Sequence, residues 1–323
     1  MNYYLYKLKF SSPVHFGESD SARSIATSSF TFCADTLFSA MCCTLAQAGD
    51  DERIEQLCGL VDRDRLLFSD AMPYSGEELY IPRPLMSPRT FTDSDPSKRK
   101  QMKKLAYIPL SMWEDYCGYL NGKNAFEAQD AAASFGESVL SEKAAVHDGD
   151  DTEPYSVGVF SFKNDCGLYG IVGYEDESEL DMCLDILKLV GIGGIGGKRT
   201  AGYGKYDVSD CKFLGEAVSE GGMILRDMLY GDASRWMLIT TALPTDDELD
   251  SVTASGNISL TRRGGFSFSA DIDTPQKKRT QYFVSSGSVV KERFKGGLYD
   301  VSGQTQKIFR YGKPLFLGVS VDD

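Results

Sequence analysis

GIGGIGGKRTAGYGKY, residues 191–206, is nearly half glycine, with two adjacent cations and two tyrosines set among the glycines. A run of residues without Cβ atoms suits a backbone that something approaches closely. A nucleotide cofactor, a strand of RNA or another part of the same chain could each be what approaches. The flanking elements narrow the choice. Just before the run, ESELDMCLDILKLVG puts Leu180, Cys183, Leu184 and Leu187 on one stripe, the period of a helix. Just after it, YGKYDVSD reads as a strand.

Gly191, Gly193 and Gly196 fit the G-x-G-x-x-G dinucleotide pattern letter for letter. That site, however, needs a strand before the glycines and a helix after them, so that the pyrophosphate meets a helix N-terminus. Here the helix comes first and offers its C-terminus, whose partial negative charge repels phosphate. A phosphate loop of the G-x-x-x-x-G-K-[ST] type also fails, because Ile192 and Arg199 stand where Gly and Ser or Thr are required. Two readings remain. One is a tight turn packed on its own sheet. The other is a loop whose bare N–H groups pack against a ribose-phosphate chain. In it Lys198 and Arg199 neutralise phosphates, and Tyr203 and Tyr206 offer a stacking face.

Outward from the run, residues 3–10 alternate, with Tyr4, Tyr6, Leu8 and Phe10 on one face of a strand. Asp35 is placed to cap a helix carrying Leu37, Phe38, Met41, Cys42 and Leu45, which ends at Gly49; DERIEQLCGLV is a second short helix. Prolines recur from 73 to 109 and exclude long helices across most of that stretch. Within it TFTDSDPSKRKQMKK (90–104) is a polar, basic projection, and 111–145 look mainly helical. SVGVFSF (156–162) and GLYGIVGY (167–174) flank KNDC as a hairpin. With 50–155 set aside as an insertion, the order is strand, helix, strand, strand, helix, strand, the ferredoxin-like unit. Beyond it come further strands at 235–243, 257–263, 265–271, 280–286 and 314–321, with a helix near 223–231. The expected fold is therefore α+β, with two ferredoxin-like (RRM-like) domains built of antiparallel sheets with helices on one face. The first spans 1–210, with the 50–155 insertion, and the second, degenerate and strand-rich, spans 211–323.

The chain has 323 residues, 42% hydrophobic and 25% charged, enough for a globular protein of two domains. No stretch approaches the ~20 apolar residues of a membrane span, and MNYYLYKLKF reads as a strand rather than a signal peptide. Eight scattered cysteines form no C-x-x-C pair, which suggests neither zinc nor a redox motif and fits a reducing cytoplasm. A net charge of −13 argues against a general nucleic-acid binder. Yet cations cluster at 98–104, 197–199, 261–263, 277–279 and 291–295. An acidic body with basic stripes can hold a polyanion in one groove and reject it elsewhere. Solvated surface charge is the plain alternative for each cluster.

Helix, then GIGGIGGKRTAGYG, then strand resembles the glycine-rich loop of the RAMP superfamily of CRISPR-associated proteins. YLYKLKFSSPVHFGES (4–19), FCADTLFSAMC (32–42), LTRRGGFSFS (260–269), SSGSVV (285–290) and FRYGKPLFLGVSV (309–321) extend the match. Together they resemble the fourth-subunit family of type III-A (Csm) CRISPR effector complexes. The similarity covers roughly 1–48, 154–209 and 257–321. Within the insertion only its position, IPRPLMSP and the start of IPLSMW correspond.

The resemblance implies an RNA-binding subunit without nuclease activity or cofactor, acting in antiviral and anti-plasmid defence. Its partners would be the 5′ handle of the guide RNA, the large palm-domain subunit and a backbone RAMP subunit, with target RNA met indirectly and no membrane. RNA contact carries over to Gly193, Gly194, Gly196, Gly197, Lys198, Arg199 and Thr200, and to Arg262, Arg263, Ser286, Ser288 and Arg310 in the C-terminal motifs. An arginine in a strand can also simply pair with a nearby carboxylate. The insertion would supply a thumb-like hairpin between guide and target that includes Lys98, Arg99, Lys100, Lys103 and Lys104. His15 follows the first strand, where some RAMP endonucleases keep a general acid or base. That leaves a second reading, a stand-alone endoribonuclease that cuts guide precursor with His15. No Tyr–His–Lys set is evident to support it, and His15 can equally bond RNA or be structural. Asp35, which in neighbouring backbone subunits would correspond to a metal-dependent nuclease residue, has no second acidic ligand nearby and is read as the helix cap; no metal site is expected.

Overall fold

The computed structural model describes residues 1–17, 25–89, 96–147, 150–216, 219–254, 257–269, 272–302 and 307–320. In chain order the elements are β1 (Asn2–Phe10), α1 (Ala34–Gln47), α2 (Asp51–Asp62), β2 (Leu66–Phe68), β3 (Met72–Ser75), β4 (Glu78–Pro82) and α3 (Pro96–Lys104). Next come β5 (Tyr107–Pro109), α4 (Trp113–Leu120), α5 (Ala128–Ala131), β6 (Gly136–His147), β7 (Asp150–Phe162), β8 (Cys166–Tyr174), α6 (Glu177–Gly193) and β9 (Tyr206–Phe213). Then follow α7 (Glu220–Tyr230), β10 (Arg235–Leu238), α8 (Leu249–Ala254), β11 (Leu260–Arg263), β12 (Phe266–Ser269), β13 (Ile272–Lys277) and β14 (Gln281–Val284). β15 (Val289–Val290), β16 (Leu298–Asp300), β17 (Phe309–Tyr311) and β18 (Phe316–Val319) complete the chain.

The main sheet runs β5-β4-β3-β8-β1-β9, with β2 also paired to β8. β1 lies antiparallel between β8 and β9. Its alternation sorts its side chains as read from the sequence. Tyr6 and Leu8 are buried in the core beneath α1 and α6, with Tyr4 and Phe10 packed against it. Leu37, Phe38, Met41 and Leu45 of α1 are buried in the same core, each worth about 1.5–3 kcal/mol relative to exposure. The opposite face is also covered. Leu5, Tyr169 and Ile171 pack with Trp113 and Tyr116 of α4, Leu225 of α7 and Met237 of β10. Helices therefore lie on both faces of this sheet, not on one as expected. A strand such as β8, buried at every position, reads as a continuous apolar run for this reason.

Three expected elements take other forms. Only 113–120 and 128–131 of the 111–145 stretch are α-helical, and a 3₁₀ turn covers 110–112; Gly136–His147 is a strand. Its Ala, Glu and Lys residues favour helix, but pairing with β7 along its length overrides that propensity. SVGVFSF accordingly pairs with β6 in a two-stranded ribbon and forms no hairpin with β8; β3 fills the place beside β8. The basic run 98–104, expected in a hairpin, lies on α3.

The later strands form a three-stranded sheet β15-β10-β18 and the pairs β11–β14, β12–β13 and β16–β17. β13 was not anticipated, and the expected strand at 235–243 is regular only over Arg235–Leu238. No helix among the described residues is long and apolar enough to cross a membrane.

Candidate nucleic-acid interface

The glycine run connects α6 to β9, in the order read from the sequence. It folds back on the chain that leaves β1. Gly197 N donates to His15 O at 2.8 Å, Gly204 N to Pro13 O at 2.9 Å and Ile195 N to Gly204 O at 2.9 Å. Three N–H groups of the run are thus used internally, and one of them, that of Gly197, belongs to a residue expected to contact RNA. The glycines are needed for this fit. At Gly196, φ is +95° and a Cβ would lie 2.7 Å from His15 O; at Gly204, φ is +77° and a Cβ would lie 2.0 Å from Ile195 O. Neither the left-handed backbone nor the contact tolerates a side chain.

His15 is buried and its Nδ1 lies 2.7 Å from the carbonyl of Gly158 on β7. A carbonyl can only accept, so Nδ1 carries the proton, and in the neutral ring Nε2 is left as an acceptor. The bridge between Val14 and Phe160 and the strand-like contact of Phe16 with Ser29 hold the segment in place.

A cleft of about 540 Å³ opens where this segment meets the glycine run, α1 and the C-terminal strands. His15, Gly196, Gly197, Arg199, Arg263 and Arg310 line it, which brings six of the residues named from the sequence to one place. Arg263 reaches Asp35 through two bonds, Nε to Oδ2 at 3.0 Å and Nη2 to Oδ1 at 2.6 Å, and Nη2 also bonds Thr36 Oγ1 at 3.0 Å. Burial works against the charge on Arg263, but the Asp35 carboxylate outweighs it and the guanidinium pKa is raised. Arg310 is buried and spends its donors on carbonyls: Nη1 on Arg263 and Arg279 at 2.9 and 3.0 Å, and Nη2 on Gly264 at 2.9 Å. It braces the end of β11, which carries Arg263.

Asp35 therefore is not the helix cap. The N-cap position of α1 is Cys33, whose side chain makes no capping bond; Asp35 sits in the first turn, turned toward Arg263. The capping bond comes from outside the helix, from Asp70 Oδ1, which accepts Ala34 N–H at 2.8 Å. Nothing in the local pattern of ADTLFSA could show this, since Asp70 lies 36 residues away.

Lys278 also lines the cleft; its only sequence signal was the basic run 277–279. Burial lowers its pKa. Cys33, in the same wall, has a thiol pushed up to about 12 by burial and then by the charge of Asp70, so it stays neutral at pH 7.

The other named residues lie outside the cleft lining. Lys198, in a left-handed conformation at φ 57°, sets its Nζ 4.8 Å from the centre of the Tyr155 ring on β7. Gly193 is the last residue of α6, Gly194 follows it, and Thr200 is in a 3₁₀ turn after Lys198. Arg262 is exposed on β11, alternating with Arg263. Ser288 is buried, and its Oγ accepts from Ser259 N at 3.0 Å; Ser286 Oγ donates to Leu238 O at 3.4 Å. Lys98, Arg99, Lys100, Lys103 and Lys104 sit on α3. Tyr203 and Tyr206 present no stacking face. Both are buried, with Tyr203 Oη donating to Ser141 Oγ on β6 at 2.9 Å and Tyr206 Oη to Leu187 O at 2.9 Å.

The model of the RAMP superfamily matches residues 7–207, and the fold is that of a RAMP protein. The model of the CRISPR Csm4 C-terminal domain matches residues 231–319. "CRISPR system Cms protein Csm4" of Mycobacterium tuberculosis H37Rv is 34% identical over 324 residues, covering 99% of this chain and 98% of its own. The protein of the same name from Streptococcus thermophilus is 28% identical, covering 99% of this chain and all of its own. The chain belongs to the Csm4 family of CRISPR proteins. Solved structures share the fold. A Csm3-Csm4 subcomplex of the type III-A interference complex aligns with TM-score 0.63 at 18% identity, covering 98% of this chain and 99% of that one. A Csm1-Csm4 cassette with AMPPNP aligns at 0.61 and 15%, covering both chains fully.

Proposed function

We propose that this chain is the RNA-binding, non-catalytic subunit of a type III-A Csm complex, and that its cleft holds the 5′ handle of the guide RNA. The observation that carries the reading is the convergence of His15, the glycine run, Arg199 and Arg263 on one cleft from three separated parts of the sequence. Arg199 and Lys278 supply positive charge at its walls, and Gly196 and Gly197 let the glycine run pack against His15 and Phe16 to form one of those walls. His15, with Nδ1 held by Gly158, offers Nε2 to the cleft as a hydrogen-bond acceptor.

Relatives in the family are solved with Csm3 and with Csm1. The corresponding partners here are a backbone RAMP subunit and the large palm-domain subunit, in the cytoplasm, with target RNA met through the guide. The β6–β7 ribbon, tied to the glycine run by Tyr203 and Lys198, is a better candidate for the thumb between guide and target than the basic run on α3. Residues 1–210 form one ferredoxin-like domain, supported by the order β9-β1-β8-β3 with α1 and α6 on one face; 211–323 form a degenerate second one around β10.

Co-expression of the tagged chain with the large subunit and a guide array tests the reading. Short RNAs sharing one 5′ handle should copurify with the wild type and fade with Lys198→Ala/Arg199→Ala. Formation of the protein pair without RNA would assign RNA binding to the neighbours. Cleavage of guide precursor by the chain alone in EDTA, lost in His15→Ala, would instead make it a nuclease.

A further inference from the structure

We infer that α3 and the pocket beneath it form a second RNA site, which takes one unpaired nucleotide away from the glycine-run cleft. This goes beyond handle binding but rests on the reading that the chain carries RNA.

α3 carries five cations and no acid within its nine residues, and none of its residues is buried. Arg99 and Lys103, and Lys100 and Lys104, stand at i, i+4 spacing, where like charges repel on a helix. Such a helix is favoured when a polyanion lies against it.

The pocket of about 420 Å³ lies between α3, the 83–88 segment, α4, the start of α5 and residues 257–258. Its chemistry has two parts. Met86, Met102, Tyr119 and Phe126 give an apolar wall, with the Tyr119 and Phe126 rings 6.1 Å apart. Arg99 and Lys103 border it from α3. Lys98, also in the lining, is bonded at 2.5 Å to Glu127, which fixes α3 to the other wall. An apolar wall of rings and thioethers suits a flat base, and adjacent cations suit its phosphate. The volume fits a nucleotide and excludes a duplex. No residue lines both this pocket and the glycine-run cleft, so the two bind separate parts of a strand.

The test uses the assembled complex, reconstituted with guide RNA and target RNA carrying 4-thiouridine at successive positions and irradiated. Cross-linked peptides are mapped by mass spectrometry. The expected result is one nucleotide position cross-linked within 98–128. Its yield should fall at least fivefold in Arg99→Glu/Lys103→Glu, while cross-links to 193–200 persist. These two side chains are exposed, so the variant should fold; Met102→Ala serves as a second variant and should lower the same cross-link without changing charge. Cross-links at 193–200 with none in 98–128 overturn the inference and leave the handle site standing. Absence of both overturns the RNA reading as well. Protection of the pocket by AMP without any RNA cross-link would make it a free-nucleotide site, and a cross-link only to a partner protein would make it a protein interface; either outcome overturns the proposal.

Discussion

Arg263 illustrates how one side chain can serve structure and site together. Its bidentate bond to Asp35 is the strongest type of ion pair, and Asp35 is nearly inaccessible. Arg263→Ala leaves that carboxylate buried without its main partner, and we expect a loss of roughly 2–4 kcal/mol in chemical denaturation. Adding Asp35→Asn should restore most of it, because the stranded charge is gone. A double variant as unstable as the single one would show that the pair's geometry, not its charge, matters. The glycines separate by the same kind of reasoning. Gly202 has φ +88° and open space around its Cβ position, so Gly202→Ala should bear only the left-handed penalty, about 1–2 kcal/mol. Gly196→Ala adds a contact with His15 O and Phe16, and should cost clearly more, roughly 2–4 kcal/mol. Equal losses would mean that the run does not rest on the 13–16 segment.

Among the elements, α1 depends on a group it does not contain. Asp70 accepts Ala34 N–H and, through Oδ2, the hydroxyl of Thr241 at 2.6 Å, so one carboxyl joins the start of α1 to the segment after β10. Burial raises its pKa from 3.8 to about 6, against the lowering effect of the bonds from Thr241 and Ala34. A raised folded pKa means that the folded chain binds the proton more tightly than the unfolded one. The resulting stability is fully present below about pH 3.8 and is lost as pH rises through about 6. Between pH 4 and 7 the wild type should therefore lose up to about 3 kcal/mol relative to Asp70→Asn, whose amide can still accept from Ala34 and donate to Thr241. Parallel pH profiles of the two proteins would show that Asp70 keeps its unfolded pKa. The ribbon shows the same dependence on distant partners. β6 is held by β7, and β7 by His15 and Val14, so the residues of β6 did not show its strand and those of SVGVFSF, read as a strand, did not show its partner.

For the whole molecule, the acidic net charge and the local cationic sites predict a defined salt response. Binding of single-stranded handle RNA should weaken with salt by ~0.7 in log K per log salt for each phosphate contacted. Lys198→Ala/Arg199→Ala should reduce that slope by about 1.4 if each cation meets one phosphate. A slope unchanged by the double substitution would move the phosphate contacts to other residues, Lys278 first. An acidic body would also disfavour RNA elsewhere on the surface.

The sequence by itself determined the features governed by local period and order: the apolar face of β1, the stripes of α1 and α6, and a glycine run between a helix and a strand. Those depend on neighbours a few residues apart, and the order alone excluded a dinucleotide site. The resemblance named His15, Arg199, Arg263 and Arg310 alongside Lys198, Arg262 and Ser288, and only the fold separates the first four, which share the cleft, from the others. Tertiary structure decided what depends on partners far along the chain. β7 found β6 instead of β8, Asp35 turned to Arg263 across 228 residues, and Asp70 took over the cap. Strand pairing and buried charge are settled by which surfaces meet in the folded chain, and a local pattern carries no record of that meeting.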